Sequence, residues 1–177
     1  MGFKYAIRDE NAYFLTHTVV GWIDLFTRRE LAEIIISSLN FCSREKGLTI
    51  YAWCLMPSHL RMIGQAKQGN SDSLSDIMRD FKKFTSNQII KSINEIGESR
   101  RDWLLPLLKT DHNSFQIWKE GMHPTGLYGR KFTRQKLDYI HNNPVVAGIV
   151  EEPQHYLLSS ARDYYCGRKG PVDMCYI

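Results

Sequence analysis

Two neighbouring strand patterns joined by a short turn constrain the fold most. Residues 48–55 and 59–65 are rich in β-branched and aromatic residues, and Pro57 and Ser58 separate them. Strand patterns this close in sequence pair antiparallel through a tight turn. The sequence therefore predicts a β-hairpin, with helix patterns before and after it.

The other elements complete a β-α-β-β-α-β order. A Thr27-x-x-Glu30 capping box and Gly47 are typical of the two ends of a helix. Pro144 should end the last helix, because the residue before a proline resists the helical conformation. The predicted order matches a split βαβ, ferredoxin-like α+β fold, an antiparallel sheet with helices on one face. Its elements are a strand at 12–20, a helix from about 27 to 46, the hairpin, a helix from Ser73 or Ser75 to about 93, a strand at 114–118 and a helix at about 133–143, followed by a tail that straps over the body.

Length and composition predict one globular domain over residues 1–177. The chain has 43% hydrophobic and 24% charged residues, which are ordinary globular values. Its apolar runs fall far short of the ~18 residues of a membrane span. The start of the sequence lacks a secretory leader pattern, and the four cysteines form no CxxC pair. We expect a cytoplasmic protein with reduced thiols and no membrane partner.

Positive charge is concentrated in the middle of the sequence. Residues 79–136 hold twelve Lys and Arg against six Asp and Glu, a net charge of +6 in a chain whose net charge is +4. Such a segment suits a surface that binds nucleic acid, because each neutralised phosphate releases a counterion. A solvated surface with a surplus of cations explains the same pattern.

Two short stretches carry side chains that can do chemistry. His59 and Arg61 are two residues apart on a predicted strand, so they share one face of the sheet. Tyr139 and Asn143 are four residues apart on a predicted helix and also share a face. Taken singly, the first pair also fits a solvent-exposed strand face, and Tyr139 also fits a packing role.

In sequence, these two stretches resemble the single-tyrosine HUH transposases, in particular REP-associated tyrosine transposases and their Bacteroidetes-type relatives. Residues 56–61, Met-Pro-Ser-His-Leu-Arg, are similar to the family's Met-Pro-Asn-His-hydrophobe-His. Residues 138–148, Asp-Tyr-Ile-His-Asn-Asn-Pro-Val-Val-Ala-Gly, are similar to its tyrosine block. Supporting likeness at 13–27, 79–85 and 159–164 extends the resemblance over about 10–165.

The resemblance implies an HUH-type domain whose C-terminal helix carries the catalytic tyrosine. Such an enzyme cleaves and rejoins single-stranded, hairpin-bearing DNA. By this likeness Tyr139 is the nucleophile that forms a 5′-phosphotyrosine intermediate, and His59 and Asn143 are ligands of Mg²⁺ or Mn²⁺. The family also implies a homodimer.

Arg61 departs from the family, which has a second histidine there. A guanidinium stays protonated and cannot bind a metal, although it can hold a phosphate with two hydrogen bonds. The enzyme could therefore be active with a weakened metal site, active without metal, or a catalytically inactive hairpin-binding protein. His17 is a possible substitute ligand, although it also fits an ordinary sheet residue. An RNA-binding ferredoxin-like domain is disfavoured, because no strand carries the typical aromatic pair.

Other residues are predicted to contact DNA. Cations hold phosphates without reading sequence, and aromatic rings stack on unpaired bases. The predicted phosphate contacts are Lys82, Lys83, Arg130, Lys131 and Arg134, and the predicted stacking residues are Trp103, Tyr128 and, although core packing suits it better, Trp118.

Overall fold

A four-stranded antiparallel sheet organises the chain. The computed structural model describes residues 11–110, 112, 114–121 and 123–177. The strands are β1 (Tyr13–Thr18), β2 (Leu48–Met56), β3 (His59–Ala66) and β4 (Thr125–Gly126), and their order across the sheet is β2-β3-β1-β4. This order is the ferredoxin-like arrangement, so the predicted α+β fold is confirmed.

The two helices of the split βαβ unit lie on one face of this sheet, as predicted, and the helix that carries Tyr139 lies on the other face. The helices are α1 (Arg29–Glu45), α2 (Leu74–Glu95), α3 (Arg101–Leu108), α4 (Arg130–Val146) and α5 (Ala161–Cys166). Helices α1 and α2 pack on one face and enclose the larger core. Helix α4, which carries Tyr139, packs against β2 and β3 on the other face, over a smaller core that includes Ile63 and Ile140.

The pairing of β1 with β3 decides which side chains face α4. His17 lies opposite Leu60, whereas Thr18 lies opposite His59 and Thr16 lies opposite Arg61. Leu60 is fully buried in the larger core. Because neighbouring residues of a strand point to opposite faces, His59 and Arg61 share the α4 face, as predicted.

The predicted capping box at Thr27 is wrong. The N-cap of α1 is Arg28, and the Thr27 hydroxyl donates instead to the Asp24 carbonyl oxygen at 2.9 Å. A capping box does begin α2, where the Ser73 hydroxyl accepts from the backbone N–H of Asp76. Gly47, with φ of +72°, follows the end of α1 as predicted.

Pro144 does not end the last helix, which runs from Arg130 to Val146 rather than over 133–143. Pro144 lacks only the one hydrogen bond that its own nitrogen would donate. The backbone N–H of Ala147 still donates to the Asn143 carbonyl, and that of Ile149 donates to the Pro144 carbonyl. Pro144 is buried, so packing holds the last turn in place.

Residues 94–130 also differ from the prediction. Helix α3 was not predicted, and the strand predicted at 114–118 is wrong: Phe115 and Trp118 make only isolated bridges, to Lys109 and Val19. The last strand of the sheet is instead β4, only two residues long, paired with β1.

The C-terminal tail covers the free edge of β2, which agrees with the prediction that the tail straps over the body of the domain. The Tyr156 hydroxyl donates to the Leu55 carbonyl oxygen and the Tyr164 hydroxyl to the Tyr51 carbonyl oxygen, each at 2.8 Å. The backbone N–H of Cys175 donates to the Ile50 carbonyl oxygen. These bonds occupy edge groups that would otherwise be open to another strand.

None of the helices in the described ranges is both long and apolar enough to cross a membrane. The first ten residues, where the absence of a leader was predicted, lie outside the described residues. The single-domain assignment for 1–177 stays a prediction.

Candidate active site

Strands β1 and β3 supply the floor of the site. His59 and Arg61 lie on β3, opposite Thr18 and Thr16 of β1. All four side chains point to the α4 face because of their shared register. The site is therefore a strip of one imidazole, one guanidinium and two hydroxyls, covered along one side by α4.

Helix α4 places Tyr139 against Arg61. The guanidinium carbon of Arg61 lies 4.7 Å from the centre of the Tyr139 ring, and Phe14 of β1 meets the ring edge-on at 5.9 Å. Lys136, one helical turn before Tyr139, lies with its ammonium 5.7 Å from the ring centre. Tyr139 nevertheless stays 46% exposed, so a large ligand can reach it.

His59 is held between Ser58 and Asn143. Its Nε2 lies 3.2 Å from Asn143 Oδ1 and its Nδ1 lies 3.3 Å from the Ser58 hydroxyl. The amide oxygen can only accept, so Nε2 carries the proton and donates to Asn143, while Nδ1 accepts from Ser58. Burial, and then the Arg61 charge, lower the pKa of His59 to about 4, against the opposing hydrogen bond to Asn143. His59 is therefore neutral at pH 7.

His17 does not belong to this site, so the suggestion that it replaces the missing histidine ligand is wrong. It projects from the opposite face of the sheet and packs beside Phe81 and Trp118. It is 3% exposed, and burial, then the nearby Lys82 charge, lower its pKa to about 3. It is an ordinary buried histidine of the larger core.

The residues of the site do not fit a divalent cation. His59 and Asn143 offer two neutral side chains as metal ligands, and these are hydrogen-bonded to each other. The position of the family's second histidine ligand holds the guanidinium of Arg61. Mg²⁺ is held mainly by carboxylate and phosphate oxygens, and a fixed positive charge opposes it. Across the described residues, no group of three or more His, Cys, Asp or Glu is placed to hold a metal ion.

Comparison with solved structures identifies the fold. A REP-associated tyrosine transposase bound to a REP hairpin has a TM-score of 0.66 and 20% sequence identity to this chain, over 99% of this chain and 92% of that chain. The chain has the fold of this tyrosine transposase. A candidate transposase from Deinococcus radiodurans R1 has a TM-score of 0.48 and 16% identity, over 81% of this chain and 95% of that one. No family model and no curated protein sequence matches the chain.

On this transposase fold, the predicted phosphate contacts do not form one cluster. The Lys82 ammonium donates to the Lys119 carbonyl oxygen at 3.2 Å, and Lys83 is exposed on α2. Lys131 and Arg134 are exposed in the first turns of α4, as is Arg130. Arg130 and Arg134 precede Tyr139 by nine and five residues, which puts them on the other side of the helix. Their DNA contacts stay predictions.

The predicted stacking residues also differ in their surroundings. Trp118 is buried and its indole N–H donates to the Thr85 hydroxyl at 2.9 Å, so core packing is confirmed for it. Trp103 and Tyr128 are exposed, which leaves their rings open to a base.

The sequence interpretation missed several residues of the site. Phe14, Thr16 and Thr18 follow the period-two alternation of β1, which could have placed them beside His59 and Arg61 once the strand pairing was known. Lys136 lies three residues before Tyr139, on the same helix face. Trp22, whose ring lies 5.8 Å from the His59 ring, left no such signal, because it follows β1 in an irregular turn.

Proposed function

We propose that the chain is a DNA-cleaving and DNA-joining enzyme of the transposase type, with Tyr139 as its nucleophile and single-stranded, hairpin-bearing DNA as its substrate. The observation that carries this proposal is the convergence of an exposed Tyr139 with Arg61 at 4.7 Å, beside the hydrogen-bonded pair of His59 and Asn143. The fold it shares with a transposase bound to a hairpin supports the substrate class.

The reaction is a transfer of one phosphoryl group. The phenol oxygen of Tyr139 forms a bond to the scissile phosphorus, and the bond from phosphorus to the 3′ oxygen breaks. The phenol proton passes to solvent and the departing oxygen takes a proton to become a 3′-OH. The 5′-phosphotyrosine keeps the energy of the phosphodiester, so a 3′-OH can attack it and rejoin DNA without ATP.

Arg61 supplies positive charge to the phosphate in this proposal. Its guanidinium can donate two hydrogen bonds to the non-bridging oxygens, where charge develops in the transition state. His59 is neutral, and its hydrogen bond to Asn143 fixes the position of both side chains. The Mg²⁺ or Mn²⁺ expected from the family resemblance has a poor donor set here, so we propose cleavage that does not depend on it.

An inactive hairpin-binding protein is the second hypothesis, and Arg61 in place of a histidine ligand favours it. The substitution Arg61→His distinguishes the two. A gain of cleavage that requires Mg²⁺ or Mn²⁺ would show that the rest of the site is competent. No cleavage by either protein, with binding retained, would support the binding protein.

Covalent trapping tests the enzyme proposal. The protein is incubated with labelled single-stranded hairpin DNAs in Mg²⁺, in Mn²⁺ and in EDTA, and adducts are resolved on a denaturing gel. We expect an adduct in all three conditions for the natural sequence and none for Tyr139→Phe. Tyr128→Phe, at another exposed tyrosine, is the matched control and should keep the adduct. The homodimer and the cytoplasmic location stay predictions, the first open to light scattering of the purified protein.

A further inference from the structure

Trp22 is an exposed aromatic residue in an unusual backbone conformation beside the active site. Its φ is +57°, and among the described residues no other non-glycine has a positive φ. Its side chain is 57% exposed. Large residues adopt this conformation only where the surroundings impose it, and such positions concentrate at functional sites.

The segment that carries Trp22 is fixed by hydrogen bonds on both sides. The backbone N–H of Val19 donates to the Ser58 carbonyl and that of Phe26 to the Pro57 carbonyl, each at 2.9 Å. Leu25 and Phe26 are buried in the larger core. The backbone that carries the indole is therefore attached to the turn before β3, the strand of His59.

Trp22 contacts the active site on one side and a cation on another. Its ring lies 5.8 Å from the His59 ring, nearly perpendicular to it. The Lys119 ammonium lies 4.8 Å from the indole centre. The backbone N–H of Lys119 donates to the Thr18 carbonyl oxygen at 2.8 Å, which ties this lysine to the end of β1.

We propose that Trp22 is the stacking platform for an unpaired nucleobase next to the scissile phosphate, and that Lys119 binds a neighbouring phosphate. The inference rests on the proposed function and adds a subsite for single-stranded DNA. Base stacking on an aromatic ring tolerates any base, so this subsite selects an unpaired nucleotide rather than a sequence.

The base takes the place of the Lys119 ammonium over the indole. A cation over an exposed aromatic ring is held weakly, more weakly than a stacked base. The displaced ammonium stays within reach of the backbone of the same nucleotide, where it neutralises a phosphate. Because Trp22 touches His59, the stacked nucleotide lies directly beside the phosphate at Arg61 and Tyr139.

Crosslinking and affinity test this subsite. Hairpins with a single-stranded flank carry 5-iododeoxyuridine at one flank position at a time, and mass spectrometry locates the crosslink after irradiation. Affinity for the same flanked hairpin is measured by anisotropy at several salt concentrations. The variants are Trp22→Ala, Trp22→Phe and Lys119→Met. Phe41→Ala is the control, at an exposed aromatic residue of α1, which packs on the opposite face of the sheet.

We expect a crosslink to Trp22 from one or two adjacent flank positions. Trp22→Ala should weaken binding by about 5- to 100-fold with an unchanged salt slope, and Trp22→Phe by about threefold or less. Lys119→Met should lower the salt slope by about 0.7. Phe41→Ala should leave all three readouts unchanged.

Two results would overturn the subsite. One is binding by Trp22→Ala within twofold of the natural sequence, and the other is a crosslink that maps elsewhere. A purely structural role for Trp22 predicts the first of these, together with a lower unfolding midpoint. Failure of the proposed function looks different, since then no Tyr139 adduct forms while the Trp22 crosslink persists.

Discussion

Replacing Arg61 by methionine separates its chemical role from its packing role. In the folded protein the guanidinium of Arg61 lies over the Tyr139 ring, 4.7 Å from its centre. A contact of this kind at a partly exposed site stabilises by about 0.5–1 kcal/mol, and the methionine side chain keeps the apolar part of the packing. Arg61→Met should therefore fold, with a free energy of unfolding lower by at most about 1 kcal/mol.

The expected loss in cleavage is larger than the loss in stability. Two hydrogen bonds from a guanidinium to a phosphate whose charge grows in the transition state contribute about 2–4 kcal/mol together. At 1.36 kcal/mol per factor of ten, single-turnover adduct formation should slow by roughly 30- to 1,000-fold. Arg61→Lys keeps the charge but cannot donate two parallel hydrogen bonds to the phosphate, so its rate should lie between that of Arg61→Met and that of the natural sequence.

Single-turnover kinetics on denaturing gels, at saturating DNA and in EDTA, measure this effect. Lys67→Met is the control, because it removes an equal charge from an exposed position just beyond β3. A rate for Arg61→Met within threefold of the natural sequence would refute the role given to the guanidinium. So would an equal loss in Lys67→Met, which would mean that only net charge matters.

Two further predictions concern the fold that holds the site. Burial, and then the Lys82 charge, lower the pKa of His17 from an ordinary 6.5 to about 3. Between these two pH values the unfolded chain binds more protons than the folded one, so the free energy of unfolding falls as the pH falls. When the pH is lowered from 7 to 5, the free energy of unfolding in urea should fall by about 2 kcal/mol less for His17→Gln than for the natural sequence. An equal fall in both proteins would contradict the lowered pKa of His17. Cys166 and Cys175 are exposed, so a thiol reagent should label them quickly. Burial raises the pKa of Cys42 to about 11 and that of Cys54 to about 12, so these two thiols should be labelled only on unfolding. Rapid labelling of all four in the folded protein would contradict the described packing.

The strand pattern and the helix faces were predictable because they follow from periodicity. The period of two on β3 placed His59 and Arg61 together, and the helical spacing placed Tyr139 with Asn143. Their convergence also required the packing of α4 on β3, which brings together His59 and Asn143, 84 positions apart. Local patterns contain no such information, and here the family resemblance supplied it.

The errors lie where tertiary contacts outweigh local preference. Pro144 is buried within α4, so packing overrides its tendency to end a helix. The Thr27 hydroxyl bonds back to Asp24 within a short 3₁₀ turn, which removes it from the start of α1. His17 faces away from His59 because of the strand register, which the sequence of β1 alone does not define. Trp22 lies in a turn whose conformation depends on hydrogen bonds to the β2–β3 turn and to Ile117.

Locating the covalent bond tests the central proposal most directly. The adduct formed in EDTA with a cognate hairpin is digested with protease and nuclease, and the modified peptide is sequenced by mass spectrometry. The account predicts a nucleotide attached through its 5′ phosphate to Tyr139, in the same yield with and without Mg²⁺. A nucleotide on another residue would contradict the assignment of Tyr139 as the nucleophile. An adduct on Tyr139 only when Mg²⁺ or Mn²⁺ is present would contradict the role given to Arg61.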